Sequence, residues 1–550
     1  MTAPVTERGA RQRSTGIGRA AVLIGVITVL ARLVGFGRQV VFAHTVGTTC
    51  LGTAYTTANM VPNIIYDIVL GGALSSVVVP VLAGPAGAVL GGAGGAVAQT
   101  RQIASALLTW AVALLVPVSV LLALAARPVI TVLLADTSGC SRTAMTAVGT
   151  RLLVVFAPQV LLYGLAVVLY GVLQAHRRFG GPAVAPLVSS VVVVATYAAF
   201  GMAGGAYANR LTSLPPFAEY LLAGGTTLGV LALMATVVVP AWRLRLRIRP
   251  TLRFPPGVAV RVRRLAIAGV FTLIAQDAAA AVVIVLANRH GSAGALVIYG
   301  FAWAVFVVPY AVLAVPIATS AFPVLSARAS SAMVSEFDAT CAASTRAVLL
   351  ASWLGAAVLV GARVPVARVF ESHSAAAAGI LAASLAAFAP ALVGYGLSAN
   401  LSRVLYAQGR NRAAALAIGL GWLLVIVVDV LLVPLVPRAD VVPVLGLGLS
   451  AGLSVAGMTL LVLVRRSRGA GAVAGGLRAF LAGLTGCVVS AAAGSAVAAA
   501  IRGSGFVANV GISMLVALVI ALVFTVIVAN IDGGDVRAAL VRLRARIPGV

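Results

Sequence analysis

The chain has 550 residues, of which 61% are hydrophobic and only 9% charged. Soluble globular proteins carry about a quarter charged residues, so a water-soluble enzyme is excluded, and apolar content this high excludes intrinsic disorder. The 39 basic residues, all arginine, outnumber 12 acidic ones for a net charge of +27. In so apolar a chain that excess marks the cytoplasmic loops of an integral membrane protein, not a nucleic-acid partner.

A membrane-crossing helix needs about 20 apolar residues. In chain order the sequence predicts spans at 20–45, 52–82, 103–126, 152–175, 182–203, 217–242, 265–288, 293–323, 347–370, 376–408, 413–436, 443–464, 475–500 and 506–530. The expected fold is therefore an all-α integral membrane protein of about 14 helices. The stretches 52–82 and 293–323 exceed one crossing, so tilt or bending is expected there. An even number of spans puts both termini on one side. Placing them in the cytoplasm gives a roughly threefold excess of arginines inside, which sets the direction. No short apolar core with a small-residue cleavage site follows Arg8, Arg11, Arg13 and Arg19, so the first span is expected to be retained.

Two landmarks recur six spans apart. S-V-V-V-P-V-L at 76–82 pairs with T-S-A-F-P-V-L at 319–325, and V-L-Q-A-H-R-R at 172–178 pairs with V-L-Y-A-Q-G-R at 404–410. Six is even, so the halves keep the same orientation and are related by an axis along the membrane normal. The expected organisation is a tail at 1–19, an N-lobe at 20–242, a basic loop at 243–264, a C-lobe at 265–464, a two-helix extension at 475–530 and a basic tail at 531–550. Duplicated lobes around a cavity are a usual transporter construction, with the substrate site near mid-membrane. The loop at 243–264 has two readings: a surface that grips anionic lipid headgroups, or a topology signal alone.

Ionisable residues inside spans are costly and normally face a partner or a wet cavity. Arg32 and Arg38 lie in the first span, Asp67 in the second, Asp277 in the seventh and Asp429 in the eleventh. One reading has the arginines hold an anionic substrate while Asp67, Asp277 and Asp429 shape, gate or bind an ion. The other has an Arg32–Asp67 pair lock two neighbouring spans. Asn59, Asn63 and Gln159 are further candidates for substrate contact, or equally for interhelical hydrogen bonds. Cys50 and Cys140 both map to the outer face, where a disulfide and two free thiols both remain open. Four His and four Cys offer no metal-ligand spacing, and no nucleotide-binding loop is present, so no cofactor is expected. Transport would draw on the membrane potential, a monovalent cation or substrate turnover.

A-R-L-V-G-F-G-R at 31–38, V-P-N at 61–63 and G-G-A-L-S-S-V-V-V-P-V-L at 71–82 resemble the opening of the MurJ/MviN lipid II flippases, of the multidrug/oligosaccharidyl-lipid/polysaccharide exporter superfamily. Residues 151–187 and P-Y-A-V-L-A-V-P-I-A-T-S-A-F-P-V-L at 309–325 extend the resemblance over most of the chain. It implies fourteen spans, a central cavity working by alternating access, and a groove from the last two spans for a lipid tail. It further implies a bacterial inner-membrane flippase that moves lipid II or a related lipid-linked saccharide outward, with Arg32 and Arg38 at its diphosphate. Positions that are charged in the family fall at Gln39, Thr53, Tyr66 and Ala304, and Asp67 replaces a basic residue, so a nearly neutral cavity is expected. Two other functions fit the residues: a cation-coupled small-molecule exporter, and a transport-inactive scaffold whose basic loops recruit envelope-synthesis proteins.

Overall fold

Fifteen to thirty apolar residues in a row, broken by glycine, proline and short polar turns, leave the backbone one economical solution in lipid: to satisfy its own hydrogen bonds as helix. A computed structural model describes residues 7–69, 78, 81–82, 94–134, 137, 139–176, 178–244, 248–256, 258–331, 333–371, 374–501 and 503–531. Among them, 12 helices are long and apolar enough to cross a membrane, or up to 13 when one bent pair is taken as a single span. They follow the expected spans, except that the second is not counted among them and the fourth is longer. The second helix runs Cys50–Val69, and its Thr, Asn, Tyr and Asp content keeps it off that count; most of 70–82, including Pro80 of the first P-V-L landmark, lies outside the described residues.

The helices fall into two compact units, residues 1–46, 50–132 and 141–273 in the first, and 47–49, 133–140 and 274–550 in the second. In the first unit, α1 (Glu7–Thr45) and α2 (Cys50–Val69) precede α3 (Gly94–Leu124) and the short α4 (Ala126–Leu133). The predicted fourth span is longer than expected and broken in two, α5 (Arg142–Phe156) and α6 (Pro158–Ala175), because Pro158 opens a new helix. α7 (Gly180–Gly204) and α8 (Pro216–Trp242) complete the set, and α7 packs on both α1 and α8. Gly225 and Gly229 allow the last approach: a Cβ on Gly225 would sit 2.3 Å from the Thr196 side chain, and one on Gly229 2.4 Å from Val193. The loop that follows is held on α3. Thr109 Oγ1 accepts from the Thr251 amide (3.1 Å), Ser105 Oγ from the Arg249 amide (3.2 Å), and Trp110 Nε1 donates to the Leu252 carbonyl (3.1 Å).

The second unit holds α9 (Val258–His290) from Ile274 on, α10 (Ala295–Pro309), a five-residue π-helical turn at Tyr310–Ala314, and α11 (Val315–Ser330). α12 (Val334–Gly361) and the short α13 (Arg363–Phe370) lead to α14 (Ala375–Phe388) and α15 (Ala391–Ala407). These last two form the bent span, with 43° between them at Pro390. The bend frees backbone groups, and Ser450 takes up two of them: it accepts from the Ala391 amide (3.1 Å) and donates to the Ala387 carbonyl (2.6 Å). α16 (Asn411–Leu432), α17 (Val441–Arg468), α18 (Gly476–Ala500) and α19 (Phe506–Ile531) complete the unit. α15, α16 and α17 meet through glycine. A Cβ on Gly394 would lie 2.2 Å from the Leu453 carbonyl oxygen, and one on Gly452 2.3 Å from Val425. Such close backbone approach is the usual device of membrane helix packing, where dispersion and not water expulsion drives association.

The repeated sequence V-L-x-A closes α6 and α15 with the same turn. The Arg178 amide donates to the Leu173 carbonyl at 2.8 Å, and the Arg410 amide to the Leu405 carbonyl at 2.9 Å.

Candidate functional site

The first unit encloses a cavity of about 310 Å³ whose walls come from one face of each of several helices. Ala31, Gly35 and Arg38 recur at helical spacing on α1, and Tyr55, Asn59, Asn63 and Tyr66 do so on α2. α7 supplies Pro186, Ser189, Ser190, Val193 and Tyr197, and α6 and α8 add Tyr163 and Thr226. α1 faces α7 across this wall, and a Cβ on Gly35 would make only an ordinary contact, 3.9 Å, with Ser190 Oγ. The polar groups at one end are fixed by one another. Tyr55 Oη is 2.8 Å from Tyr197 Oη and 2.9 Å from Thr226 Oγ1, which itself donates to the Leu222 carbonyl. Phe42 and Phe156 pack around the Tyr55 ring at 5.3 and 5.6 Å between centroids. At the other end Tyr163 Oη donates to Asn63 Oδ1 (3.4 Å) and its ring lies 4.3 Å from that of Tyr66.

Among the described residues, Arg38 is the single charged residue of this lining. It is half-buried, and among the described residues its guanidinium meets no carboxylate. A cation in a low-dielectric wall of hydroxyls and amides attracts an anion strongly, and a guanidinium presents a planar fork that matches phosphate.

Of the residues singled out from the sequence, the structure brings Arg38, Asn59 and Asn63 together here. Arg32 is exposed and lies off the lining, because six residues along a helix turn a side chain about 120° from Arg38. Gln159 is fully buried elsewhere: its Nε2 donates to Thr227 Oγ1 at 2.8 Å, and Thr227 donates to the Val155 carbonyl, so it joins helices within the unit. Asp67 is exposed and makes no ion pair with Arg32 among the described residues. Among the described residues, this cavity's lining carries one cation and no acid, and Asp67 and Asp277 do not line it. Ser189, Ser190, Tyr197 and Thr226 were not read as candidates from sequence, although the Ser190–Tyr197 spacing of seven residues puts both on one helix face.

Asp277 and Asp429 lie in the second unit, and both are buried. Asp429 is fully enclosed with neither carboxylate oxygen hydrogen-bonded. Gly448 opposite makes room for it, since a Cβ there would come 1.8 Å from Asp429 Oδ1. Glu371, in the turn after α13, accepts from Thr48 Oγ1 at 3.2 Å while its Oε1 is enclosed without a partner. Burial pushes its carboxyl up from 4.5 to about 7, against the opposing effect of the Thr48 hydrogen bond. Cys50 and Cys140 are disulfide-bonded, whereas Cys341 and Cys487 are buried free thiols. Among the described residues no three His, Cys, Asp or Glu side chains are grouped as a metal site would need.

Two bundles of membrane helices, a polar cavity within one of them and a broken span in the other define a polytopic membrane protein of the transporter type. Its fold is similar to "Lipid II flippase MurJ, inward closed conformation" (TM-score 0.67, 16% identity, 92% of this chain and 98% of that one). It also resembles an inward-facing multidrug resistance MATE family transporter of the MOP superfamily (TM-score 0.64, 13% identity, 81% of this chain and 98% of that one). The family model for lipid II flippase MurJ matches residues 42–525, and the chain belongs to that family. A curated relative, a probable lipid II flippase MurJ of Synechocystis sp. (strain ATCC 27184 / PCC 6803 / Kazusa), is 28% identical over 258 residues. That match takes in 44% of this chain and 44% of the relative, so under half of its length is matched.

Proposed function

We propose that this protein is a flippase: it carries a polyprenyl-linked envelope precursor, lipid II or a related lipid-linked saccharide, from the inner to the outer leaflet of a bacterial cytoplasmic membrane. The termini lie in the cytoplasm, as the arginine bias requires. The observation that carries the reading is Arg38, a guanidinium without a carboxylate partner among the described residues, in a cavity lined by tyrosine, asparagine and serine. Arg38 takes the phosphate, and Asn59, Asn63, Ser189 and Ser190 offer hydrogen bonds to hydroxyl groups next to it. Arg32, exposed on another face of α1, makes a lesser contribution.

The energy input is assigned to Asp429. An enclosed carboxylate with no hydrogen bond is stable only when it holds a proton or a cation, which makes it a coupling group. This same observation supports the second reading, a cation-coupled exporter of small molecules. Depletion of the protein followed by lipid analysis separates the two. Flipping predicts accumulation of an inner-leaflet lipid-linked saccharide that wild type relieves and Arg38→Ala does not. Relief by Arg38→Ala equal to wild type would reject the assignment.

A further inference from the structure

The second unit contains a larger cavity of about 390 Å³, away from Asp277, Asp429 and Glu371, none of which lines it. It forms where three helices end together: α11 contributes Arg328, α15 is followed by Gln408 and Arg410, and α17 contributes Ser467 and Arg468. Phe337 at the start of α12, with Met333 and Val334, supplies an apolar side. Among the described residues, no acidic side chain lines it.

Helix C-termini carry partial negative charge and attract basic side chains, so the arginines need sorting before they suggest a ligand. Arg468 is committed: its Nε donates to Asp338 Oδ1 (2.7 Å), its Nη2 to the Val334 carbonyl (3.1 Å), and its guanidinium stacks 4.7 Å over the Phe337 ring. Arg328 is engaged with the Glu336 carboxylate (3.3 Å), the Glu336 carbonyl and Thr340. Arg410 differs. The end of α15 is already closed by backbone alone, through Gly409 at φ +73°, Gly409 N–H to the Tyr406 carbonyl (3.0 Å) and Arg410 N–H to the Leu405 carbonyl (2.9 Å). Its guanidinium is exposed and makes no hydrogen bond or ion pair among the described residues. Beside it, Gln408 accepts from Ser467 Oγ (3.2 Å) through Oε1, while its Nε2 is enclosed without a partner.

The cavity thus pairs unused donors with an apolar wall, and its volume falls in the range of about 300–1,000 Å³ typical of small-molecule sites. We infer that it binds a phosphate ester, with the phosphoryl oxygens on Arg410 and Gln408 Nε2 and the organic part against Phe337, Met333 and Val334. A phospholipid headgroup and a soluble sugar or glycerol phosphate share this chemistry. The site lies outside the transport cavity, and binding here is read without any transport, so its failure and that of the flipping assignment are separate results.

The test uses the full chain in phosphatidylcholine nanodiscs, titrated in one arm with phosphatidylglycerol read by native mass spectrometry. In a second arm, glycerol 3-phosphate is titrated and read by thermal shift. Loss of one charge-assisted contact should weaken binding about tenfold in Arg410→Gln and again in Gln408→Leu. Arg438→Gln, an exposed arginine outside the cavity, should bind as wild type does. Retention of the lipid alone identifies a headgroup site, and stabilisation by glycerol 3-phosphate identifies a soluble ligand. Binding of neither probe, or equal binding by wild type and Arg410→Gln, overturns the proposal.

Discussion

The two units treat buried charge in opposite ways. The first pairs its buried acid, since Glu219 receives two hydrogen bonds from Arg151 at 2.7 and 2.8 Å, and leaves its cavity arginine without an acid. The second buries Asp429 with both carboxylate oxygens unbonded and Glu371 with one unbonded among the described residues, and packs α15 to α17 so closely that backbone nearly touches backbone. Under the proposed function, the first unit offers its arginine to an anion and the second its enclosed acids to protons or cations.

The largest effect that tests this division is functional. Arg38→Ala should lose at least about tenfold in substrate affinity and fail to support growth on depletion of the wild type, whereas Arg32→Ala should retain partial activity. Equal loss in both would remove the distinction drawn from the α1 faces. Asp429→Asn should leave the fold intact and abolish the dependence of transport on an ion gradient; unchanged dependence would place the coupling elsewhere.

Next is the pH response of Glu371. Its carboxyl sits higher in the folded protein than in the unfolded chain, so the native state holds the extra proton. Stability from this group is complete below about pH 4.5 and is lost as pH rises through about 7, on the order of 3 kcal/mol at most. Thermal melts of Glu371→Gln should lack that decline, and a parallel decline in wild type and variant would refute it.

The packing contrast predicts smaller effects. Gly394→Ala forces a methyl against the Leu453 carbonyl and should cost about 1–3 kcal/mol, while Gly35→Ala meets only an ordinary contact and should be neutral in a melt. Arg151→Ala should cost about 1 kcal/mol, because Arg151 is 48% exposed and water can reach the carboxylate it leaves.

Most of the fold was legible in the sequence because the bilayer enforces one rule on every span, and hydropathy reports it directly. Of the predicted second span, 52–82, the helix Cys50–Val69 and positions 78 and 81–82 are described, so most of its far end lies outside the described residues. The site was legible in part. Arg38, Asn59 and Asn63 announce themselves as polar residues in apolar helices, and the structure groups them. Gln159 has the same signature but serves a neighbouring helix, since an amide in a span looks alike whether it faces a ligand or Thr227. Arg32 stands about 120° round α1 from Arg38, and the sequence spacing gives that angle but not which of the two faces the cavity. The grouping of Arg328, Arg410 and Arg468 depends on three helix ends meeting, which no single stretch of sequence contains.

The π-helical turn at Tyr310–Ala314 has a consequence of its own. Such a turn acts as a one-residue insertion, so every side chain of α11 is rotated about 100° from where an unbroken helix would present it. Counted along the chain, the second half of this span is one residue out of step with the first. Removing a single residue from 310–314 would restore the α-helical count and swing Pro323, Leu325 and Arg328 onto a different face. Relatives aligned without a gap at this point would thus match in letters while differing in which residues look inward.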